Sequence, residues 1–341
     1  MWPWQQFCSL SERFILFIGG LVGGEWCMEY VIETEGLVKI YRDRGGETVA
    51  LDGVDIRVPR GVLFGLFGPN GSGKSTLISI LIGLSLPTRG TARVLGFDSV
   101  RESIEIRKRL GVLPENFGFY EHMTAYENLE YLAMLDGIPE SEIKSRIMSV
   151  LELVGLRDKA DAKVGGFSRG MVQRLAIAQA LLKDPEVLIL DEPTIGLDPS
   201  GSEVFRGIMQ DLVKSGKTIL VSTHLLRELG YLCTHAALIR QGKIIAQGHI
   251  DDLSRKLSEA RGYVYEVTVT RDPEKFLLEA KEALRVAEAS IQGNKVVLRV
   301  MGEAEKELSR LASNYGLVSL SQVKPGWDEI YVFYQGGGWN E

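Results

Sequence analysis

The sequence predicts an α/β fold built around a parallel sheet, followed by a smaller α+β unit. Three observations lead to this prediction: a glycine-rich loop between an apolar strand and a helix, an apolar strand that ends in two carboxylates, and alternating strands and helices after residue 250. The 341 residues are enough for two domains. Hydrophobic residues make up 45% and charged residues 25%, as in ordinary soluble proteins.

Net charge and cysteine content argue against several classes of protein. The formal charge of −6 argues against a general nucleic-acid binder, which carries an excess of Lys and Arg. Cys8, Cys27 and Cys233 are scattered and lack CxxC spacing, so we predict neither a disulfide framework nor a zinc site. This usage suits a reducing cytosol.

Residues 1–27 have three interpretations. Their apolar run, 14–22, is far shorter than the roughly 18 residues that a membrane span needs, and no other run is long enough. Arg13 before the run fits a targeting segment, and the run can also be a peripheral apolar tail. Strand-like sequence starts directly after Met28, which favours the third interpretation, an extension upstream of the working fold. The first domain is therefore expected to cover residues 28–250.

The segment 29–60 predicts an antiparallel β unit. The stretches 30–34, 37–41 and 54–58 alternate as half-buried strands do, and Gly45-Gly46 marks a hairpin turn. Tyr41 has two equally good interpretations from its position alone. Its ring can stack on a nucleotide base, or it can be an ordinary tyrosine of an edge strand.

The glycine-rich loop fits the phosphate-binding pattern G-x-x-x-x-G-K-[ST]. An apolar strand, 62–67, precedes the loop, and a helix is predicted over 76–84. The glycines let the backbone turn its N–H groups onto a phosphate, and the helix N-terminus adds partial positive charge. Lys74 can reach the β- and γ-phosphates, and the Ser75 hydroxyl can bind Mg²⁺. The residues expected to hold the nucleotide are Gly68, Pro69, Asn70, Gly71, Ser72, Gly73, Lys74, Ser75 and Thr76.

Between the glycine-rich loop and residue 165, the sequence predicts a strand and a short helix first and then two longer helices. A strand is expected at 92–95 and a helix at 103–110, and Gly111-Val112-Leu113 then leads to Pro114-Glu115. Thr124 and Glu127 form a capping-box pattern before an apolar helical stretch. A second helix is predicted over 140–154, with its apolar positions in the core.

Two carboxylates follow the apolar strand 187–190. The carboxyl end of such a strand is where open α/β sheets bind ligands. Asp191 can hold Mg²⁺ directly or through water, and Glu192 can orient or deprotonate a water molecule. The strand 218–223 ends at His224, which closes it at the same sheet edge. Before these strands, Ser168 and Gly170 open a predicted helix at 172–182, a second place where an anion can bind.

Residues 251–341 predict an α+β accessory domain of ferredoxin-like character. Strands are expected at 263–270, 317–323 and 330–334, and helices at 273–286 and 303–315. Ser290-Ile291 and 296–300 flank a Gly293-Asn294 turn, which indicates a hairpin.

With these motifs in view, residues 29–250 resemble the nucleotide-binding subunit of ABC transporters. Their order along the chain is that of the family: the Walker A loop at 68–75, the Q-loop at Pro114-Glu115, the signature motif at 167–171, the Walker B pair at Asp191 and Glu192, the D-loop at Ile195-Gly196-Leu197-Asp198, and the switch histidine at His224. Tyr41 matches the adenine-stacking aromatic. Two positions depart from the family pattern: the Q-loop glutamine is Glu115, and the signature LSGGQ reads Phe-Ser-Arg-Gly-Met, with Ser168 and Gly170 kept.

The resemblance implies a P-loop NTPase (RecA-like) core with an antiparallel β subdomain and a helical subdomain at about 116–165. It also implies ATP and Mg²⁺ as cofactors. Glu192 and His224 are the implied catalytic residues, Ser75, Glu115 and Asp191 the implied metal-binding residues, and Asp198 an implied nucleotide contact. Two ATPase subunits are expected to sandwich ATP, at the cytoplasmic face of a membrane, with a separate membrane-spanning partner. The signature variant favours export over import.

Two rival functions remain open from the sequence. A soluble ABC ATPase that acts on nucleic acid or ribosomes usually has long coiled coils or two ATPase units, and this acidic chain has neither heptads nor a second P-loop. A regulatory module that binds nucleotide without turnover does not need the intact set of Asp191, Glu192 and His224. We therefore expect an ATPase subunit that powers transport and binds no nucleic acid.

Overall fold

A computed structural model describes residues 30–43, 46–195, 197, 199–225 and 229–334. The extension 1–27, Met28, Gly45, Gly196 and Asp198 lie outside the described residues. The strands are β1 (Tyr30–Asp43), β2 (Gly46–Pro59), β3 (Leu63–Phe67), β4 (Arg89–Val94), β5 (Phe97–Asp98), β6 (Leu110–Leu113), β7 (Val187–Asp191), β8 (Thr218–Thr223), β9 (His235–Arg240), β10 (Lys243–His249), β11 (Tyr263–Val269), β12 (Val286–Gln292), β13 (Lys295–Val300) and β14 (Leu317–Val323).

The α-helices follow the predicted order. They are α1 (Lys74–Leu81), α2 (Ser103–Arg109), α3 (Ala125–Leu135), α4 (Glu140–Leu153), α5 (Arg169–Leu181), α6 (Pro199–Lys214), α7 (Ile250–Arg261), α8 (Pro273–Ala283), α9 (Glu305–Ser313) and α10 (Trp327–Tyr334). Helices α1 and α5 begin two and three residues earlier than the sequence predicted. Ser168 explains the second shift, because its side chain accepts a hydrogen bond from the Met171 N–H and so caps the helix.

A six-stranded sheet in the order β10-β9-β3-β8-β7-β6 forms the centre of the molecule. Its strands β6, β7, β8, β3 and β9 are parallel, and β10 closes one edge antiparallel to β9. Strands β3, β7 and β8 are buried along their whole length. Because parallel strands share a carboxyl edge, the loops after β3, β7 and β8 come together there.

An antiparallel sheet and a group of helices cover the two faces of this sheet. The antiparallel sheet has the order β2-β1-β4-β5 and packs with α1 against one face. Helices α3, α4 and α5 pack against the other face. The predicted capping box is confirmed: the Glu127 N–H donates to Thr124 Oγ1 at 3.1 Å, and the Thr124 N–H donates to Glu127 Oε2 at 2.7 Å. The predicted mixed α/β class is also confirmed.

The C-terminal residues form a second, four-stranded antiparallel sheet in the order β12-β13-β11-β14. The succession β11-α8-β12-β13-α9-β14 is the β-α-β-β-α-β connectivity of ferredoxin-like folds. Helix α8 ends at Ala283, before the predicted residue 286, because Val286 pairs with Val300 in the sheet.

The predicted strand at 330–334 is wrong, since these residues belong to helix α10. Aromatic and β-branched residues suggested a strand. Trp327, Ile330, Tyr331 and Tyr334 instead repeat at the spacing of one helical face, and this face packs onto the core beneath the parallel sheet. Leu253 and Leu257 of α7 enter the same core. Two helices after residue 250 therefore pack against the ATPase core, while the division at residue 250 stays a prediction.

In the part of the chain that the structure describes, no helix is both long and apolar enough to cross a membrane.

Candidate nucleotide site

The predicted phosphate-binding loop joins the centre of the parallel sheet to α1. Strand β3 lies between β8 and β9, so its loop opens at the middle of the carboxyl edge. Gly73 has φ 110°, and a Cβ atom there would lie 2.6 Å from the Ala50 carbonyl oxygen. Only glycine fits this position, which lets the loop pass close to β2 before α1 begins at Lys74.

Lys74 and Glu192 meet at this edge as a buried ion pair. Their Nζ and Oε1 atoms are 3.3 Å apart, and each side chain is only 5% exposed. The Lys74 ammonium also donates to the carbonyl oxygens of Gly68 at 2.8 Å and Pro69 at 3.3 Å. A buried charge is costly unless it is paired, and these contacts supply the pairing. The cation is thus held directly over the glycine-rich loop.

Glu192 also contacts His224. The His224 Nδ1 atom lies 3.1 Å from Glu192 Oε1 and 3.0 Å from Oε2. Glu192 has φ 49°, a left-handed conformation that is uncommon outside glycine and that concentrates at functional sites. Its backbone N–H is fixed by the Ser222 carbonyl at 3.0 Å. A chain of contacts therefore links the start of α1 to the ends of β7 and β8, through Lys74, Glu192 and His224.

Asp191 stands beside this chain at the end of β7 and is 5% exposed. The Ser222 hydroxyl donates a short hydrogen bond to Asp191 Oδ1 and is 3.2 Å from the Glu192 N–H. Ser222 thus orients both carboxylate residues. Sequence reasoning missed it, although a hydroxyl two residues before His224 on the neighbouring strand was an available signal.

The residues present fit a nucleotide with Mg²⁺. The hydroxyl oxygens of Ser72 and Thr194 are buried and have no hydrogen-bond partner within the described residues. Buried polar atoms without partners are rare, and both lie in loops at this edge. The Asp191 carboxylate and the Ser75 hydroxyl are oxygen groups of the kind that Mg²⁺ prefers as ligands. No cluster of three or more acidic, His or Cys side chains that could hold a metal occurs in the described ranges.

Two other predicted residues lie on the surface near this edge. Tyr41 is 44% exposed on β1, with Lys39 Nζ 4.8 Å from its ring centroid. It pairs with Thr48, two residues before the Ala50 carbonyl that borders Gly73. Glu115 is exposed, two residues beyond β6, the strand beside β7. Among the described residues no hydrogen bond or ion pair joins Glu115 to Asp191.

Ser168 and Gly170 belong to the surface of the helical layer. Ser168 is exposed at the N-terminus of α5, and a Cβ atom on Gly170 would lie 3.8 Å from Leu197 Cδ2. Within the described ranges no hydrogen bond connects either residue to the glycine-rich loop. Gln173, which sequence reasoning also missed, donates from Nε2 to the Pro193 carbonyl at 2.6 Å and so ties α5 to the segment after Glu192.

The fold and the site define a P-loop ATPase, and comparisons with known proteins specify its family. The family model described as ABC transporter matches residues 51–195. The ABC transporter ATP-binding protein NatA of Bacillus subtilis is 38% identical over 227 residues, covering 66% of this chain and 92% of NatA. The linearmycin resistance ATP-binding protein LnrL of Bacillus subtilis is 31% identical over 314 residues, covering 89% of this chain and 97% of LnrL. The bacitracin transport ATP-binding protein BcrA of Bacillus licheniformis is 41% identical over 230 residues, covering 67% of this chain and 73% of BcrA.

Solved structures agree with this assignment. The structure of an ATP-binding subunit of an ABC transporter aligns with a TM-score of 0.60 and 32% identity, covering 67% of this chain and 93% of the other. The dimeric structure of a bacterial ABC transporter cassette aligns with a TM-score of 0.59 and 26% identity, covering 64% of this chain and 98% of the cassette. The chain belongs to the ABC transporter ATP-binding proteins. It binds and hydrolyses ATP to power transport, and the rival function on nucleic acid or ribosomes is not favoured.

Proposed function

We propose that this protein powers export through a separate membrane-spanning subunit, and that two ATPase units enclose ATP and Mg²⁺ between them. The observation that carries the proposal is the contact chain of Lys74, Glu192 and His224, because it places a cation, a carboxylate and an imidazole around one point. Three relatives are named for bacitracin transport, linearmycin resistance and Nod factor export. These names favour outward transport of a substrate by this chain as well.

The chain's own residues have distinct roles in this proposal. Lys74 exchanges its contacts with the Gly68 and Pro69 carbonyls for the β- and γ-phosphate oxygens of ATP. Glu192 accepts a proton from, or orients, the attacking water, and His224 holds the Glu192 carboxylate in place. Asp191 and Ser75 would hold Mg²⁺, with Glu115 at the rim of the site. Mg²⁺ neutralises charge on the phosphates when it is bound.

A second copy of the chain completes the site. Ser168 is exposed and Gly170 is half-exposed on the helical layer, and neither makes a hydrogen bond to the loop at 68–76 of its own chain within the described residues. The helix N-terminus at Ser168 favours an anion. An ATP bound to the loop of one copy can therefore be covered by Ser168 of the other, which agrees with the dimeric cassette among the similar structures.

A groove between the parallel sheet and the helical layer is the proposed docking place for the membrane subunit. Its cavity of about 370 Å³ is lined by Leu84, Leu110, Val112, Leu132 and Leu135, next to Pro114. Leu84 is 71% exposed and Leu135 is 68% exposed. Contiguous exposed apolar side chains of this kind mark interaction sites. Because Pro114 lines the groove, a membrane subunit bound there would contact the Pro114-Glu115 segment next to the proposed Mg²⁺ site.

A cross-linker attached at Leu135 tests this docking. With Cys8 and Cys27 changed to Ser, Leu135→Cys carries the only accessible thiol in the described part of the chain, since Cys233 is buried and burial raises the pKa of its thiol. In membranes of the source cell we expect a cross-link to a polytopic membrane protein, identified by mass spectrometry. Leu278→Cys, 62% exposed on α8, is the matched control. Equal labelling of the same protein from both positions, or adducts with soluble proteins alone, would contradict the docking.

Glu115 is expected to make ATP binding depend more steeply on Mg²⁺ than Glu115→Gln does. Its extra carboxylate favours Mg²⁺ but repels the γ-phosphate when the metal is absent. We expect hydrolysis to change by less than about tenfold in Glu115→Gln, because an oxygen ligand remains, and by more in Glu115→Ala. ATP affinity measured against Mg²⁺ concentration decides this. Superimposable curves for the three forms would show that Glu115 does not sense the metal.

A further inference from the structure

The Trp327 side chain of helix α10 lies between Phe67, the last residue of β3, and Gly230. Its ring packs against Phe67, with ring centroids 4.8 Å apart and an interplanar angle of 59°. Its other neighbour is Gly230, where a Cβ atom would lie only 2.4 Å from Trp327 Cδ1 and 2.6 Å from Cγ. These atoms are near the root of a rigid side chain, so only glycine allows the indole to lie there.

Phe67 is the last residue of β3 and directly precedes the phosphate-binding loop. It is fully buried, and a Cβ atom on Gly65 would lie 2.4 Å from its ring, so the ring has no room to shift on that side. The next residue, Gly68, is the one whose carbonyl oxygen accepts the Lys74 hydrogen bond. A displacement of Phe67 is therefore expected to move Gly68, the first residue of the phosphate-binding loop.

Thr223, at the end of β8, pairs with Phe67 of β3, and the next residue is His224, which contacts Glu192. The second contact of Trp327, Gly230, begins a short 3₁₀ helix over Gly230–Leu232. One indole ring thus touches both the residue that precedes the phosphate-binding loop and the first residue of this short helix.

Helix α10 holds this ring from the C-terminal unit. Ile330 is 1% exposed and Tyr331 is 8% exposed in the core below the parallel sheet. The helix follows β14 of the second sheet, and Lys324 between them pairs with Asp251 of α7 at 2.8 Å. The C-terminal residues therefore pack onto the ATPase core through α10, and the Lys324–Asp251 pair joins the segment before Trp327 to α7.

We propose that Trp327 is a positioning residue for ATP hydrolysis, through which the C-terminal residues 251–334 set the place of the phosphate-binding loop. The indole contacts no reacting group. It acts through the Phe67 ring and the Gly230 backbone. The proposal rests on ATP hydrolysis by this chain and is independent of the export direction and of the membrane subunit.

Activity of full-length variants tests the proposal. Trp327→Ala is expected to lower kcat for ATP by at least about tenfold, since small displacements of catalytic groups have effects of this size. Trp327→Phe, which keeps a ring over Phe67, should stay within about threefold of the unchanged protein. Phe333→Ala is the matched control, because Phe333 is an aromatic residue of the same helix that packs with Tyr334 and Arg261 instead. Equal losses in Trp327→Ala and Phe333→Ala, or no loss in Trp327→Ala, would overturn the proposal.

Gly230→Ala probes the same contact if Trp327→Ala does not fold. The added methyl group displaces the indole, so we expect kcat to fall at least about fivefold. An unchanged kcat in Gly230→Ala would overturn the proposal. Fluorescence gives a separate readout: with Trp2, Trp4, Trp26 and Trp339 changed to Phe, Trp327 is the one remaining tryptophan of the five. Its emission should change on addition of ATP and Mg²⁺, and an unchanged spectrum at saturating ATP would also count against the proposal.

Discussion

Glu192→Gln is expected to lower kcat for ATP hydrolysis by about 10²–10⁴-fold, the range that a positioned general base contributes. The amide keeps the shape of the carboxylate but cannot take a proton from water. Glu192 is well placed for this role because its Oε1 atom contacts Lys74 and both of its carboxylate oxygens contact His224. ATP affinity should change much less, since the loop at 68–76 is untouched. Phosphate release at saturating ATP and Mg²⁺ measures the effect.

Glu186→Gln is the matched control for this variant. Glu186 directly precedes β7, at the end of the strand away from Asp191, and is exposed with an ion pair to Arg60 at 3.1 Å. It should hydrolyse ATP at the unchanged rate. A Glu192→Gln protein that keeps more than about a tenth of the activity would show that another group activates the water.

Lys74→Ala is expected to weaken ATP binding by about tenfold to a hundredfold, the equivalent of one or two hydrogen bonds from a charged group. The change also removes the cation from a buried pair in which both side chains are 5% exposed. Glu192 is then left with His224 as its remaining side-chain partner and has no compensating cation from Lys74, so the free energy of unfolding should fall as well. Titration with a fluorescent ATP analogue and a thermal melt without nucleotide measure the two effects.

The double variant Lys74→Ala with Glu192→Gln separates these effects. Neutralising the carboxylate should restore most of the lost thermal stability, because no unpaired charge remains buried. ATP affinity should stay low. Full ATP affinity in Lys74→Ala would mean that the loop backbone alone binds the phosphates.

Local sequence was enough to predict the main parts of the site. The glycine-rich loop, the buried strand before Asp191 and the strand before His224 each carry their own pattern of residues, and parallel pairing then brings the three ends together. Among the described residues of the predicted site, side-chain contacts join Lys74, Glu192 and His224, and the Lys74 ammonium also contacts the Gly68 and Pro69 carbonyls. The nucleotide, metal and catalytic roles of all these residues stay predictions.

Contacts between distant residues could not be predicted in this way. Trp327 and Phe67 are 260 positions apart, and nothing near either residue indicates the other. Residues 330–334 were assigned to a strand because their aromatic and β-branched side chains favour one, and packing of α10 on the core outweighed this preference. The bond from Gln173 to the Pro193 carbonyl depends in the same way on how α5 lies over β7.

Mixing two inactive variants tests directly whether two copies of the chain form each ATP site. In a Lys74→Ala dimer both sites lack the lysine, and in a Ser168→Arg dimer both sites carry a bulky cation in place of the capping serine. A mixed dimer holds one site with Lys74 from one copy and Ser168 from the other. If subunits exchange freely, half of the dimers are mixed and each has one intact site, so an equimolar mixture should recover about a quarter of the unchanged ATPase activity. Activity no greater than the sum of the two separate variants would show that Lys74 and Ser168 do not serve one site across two copies.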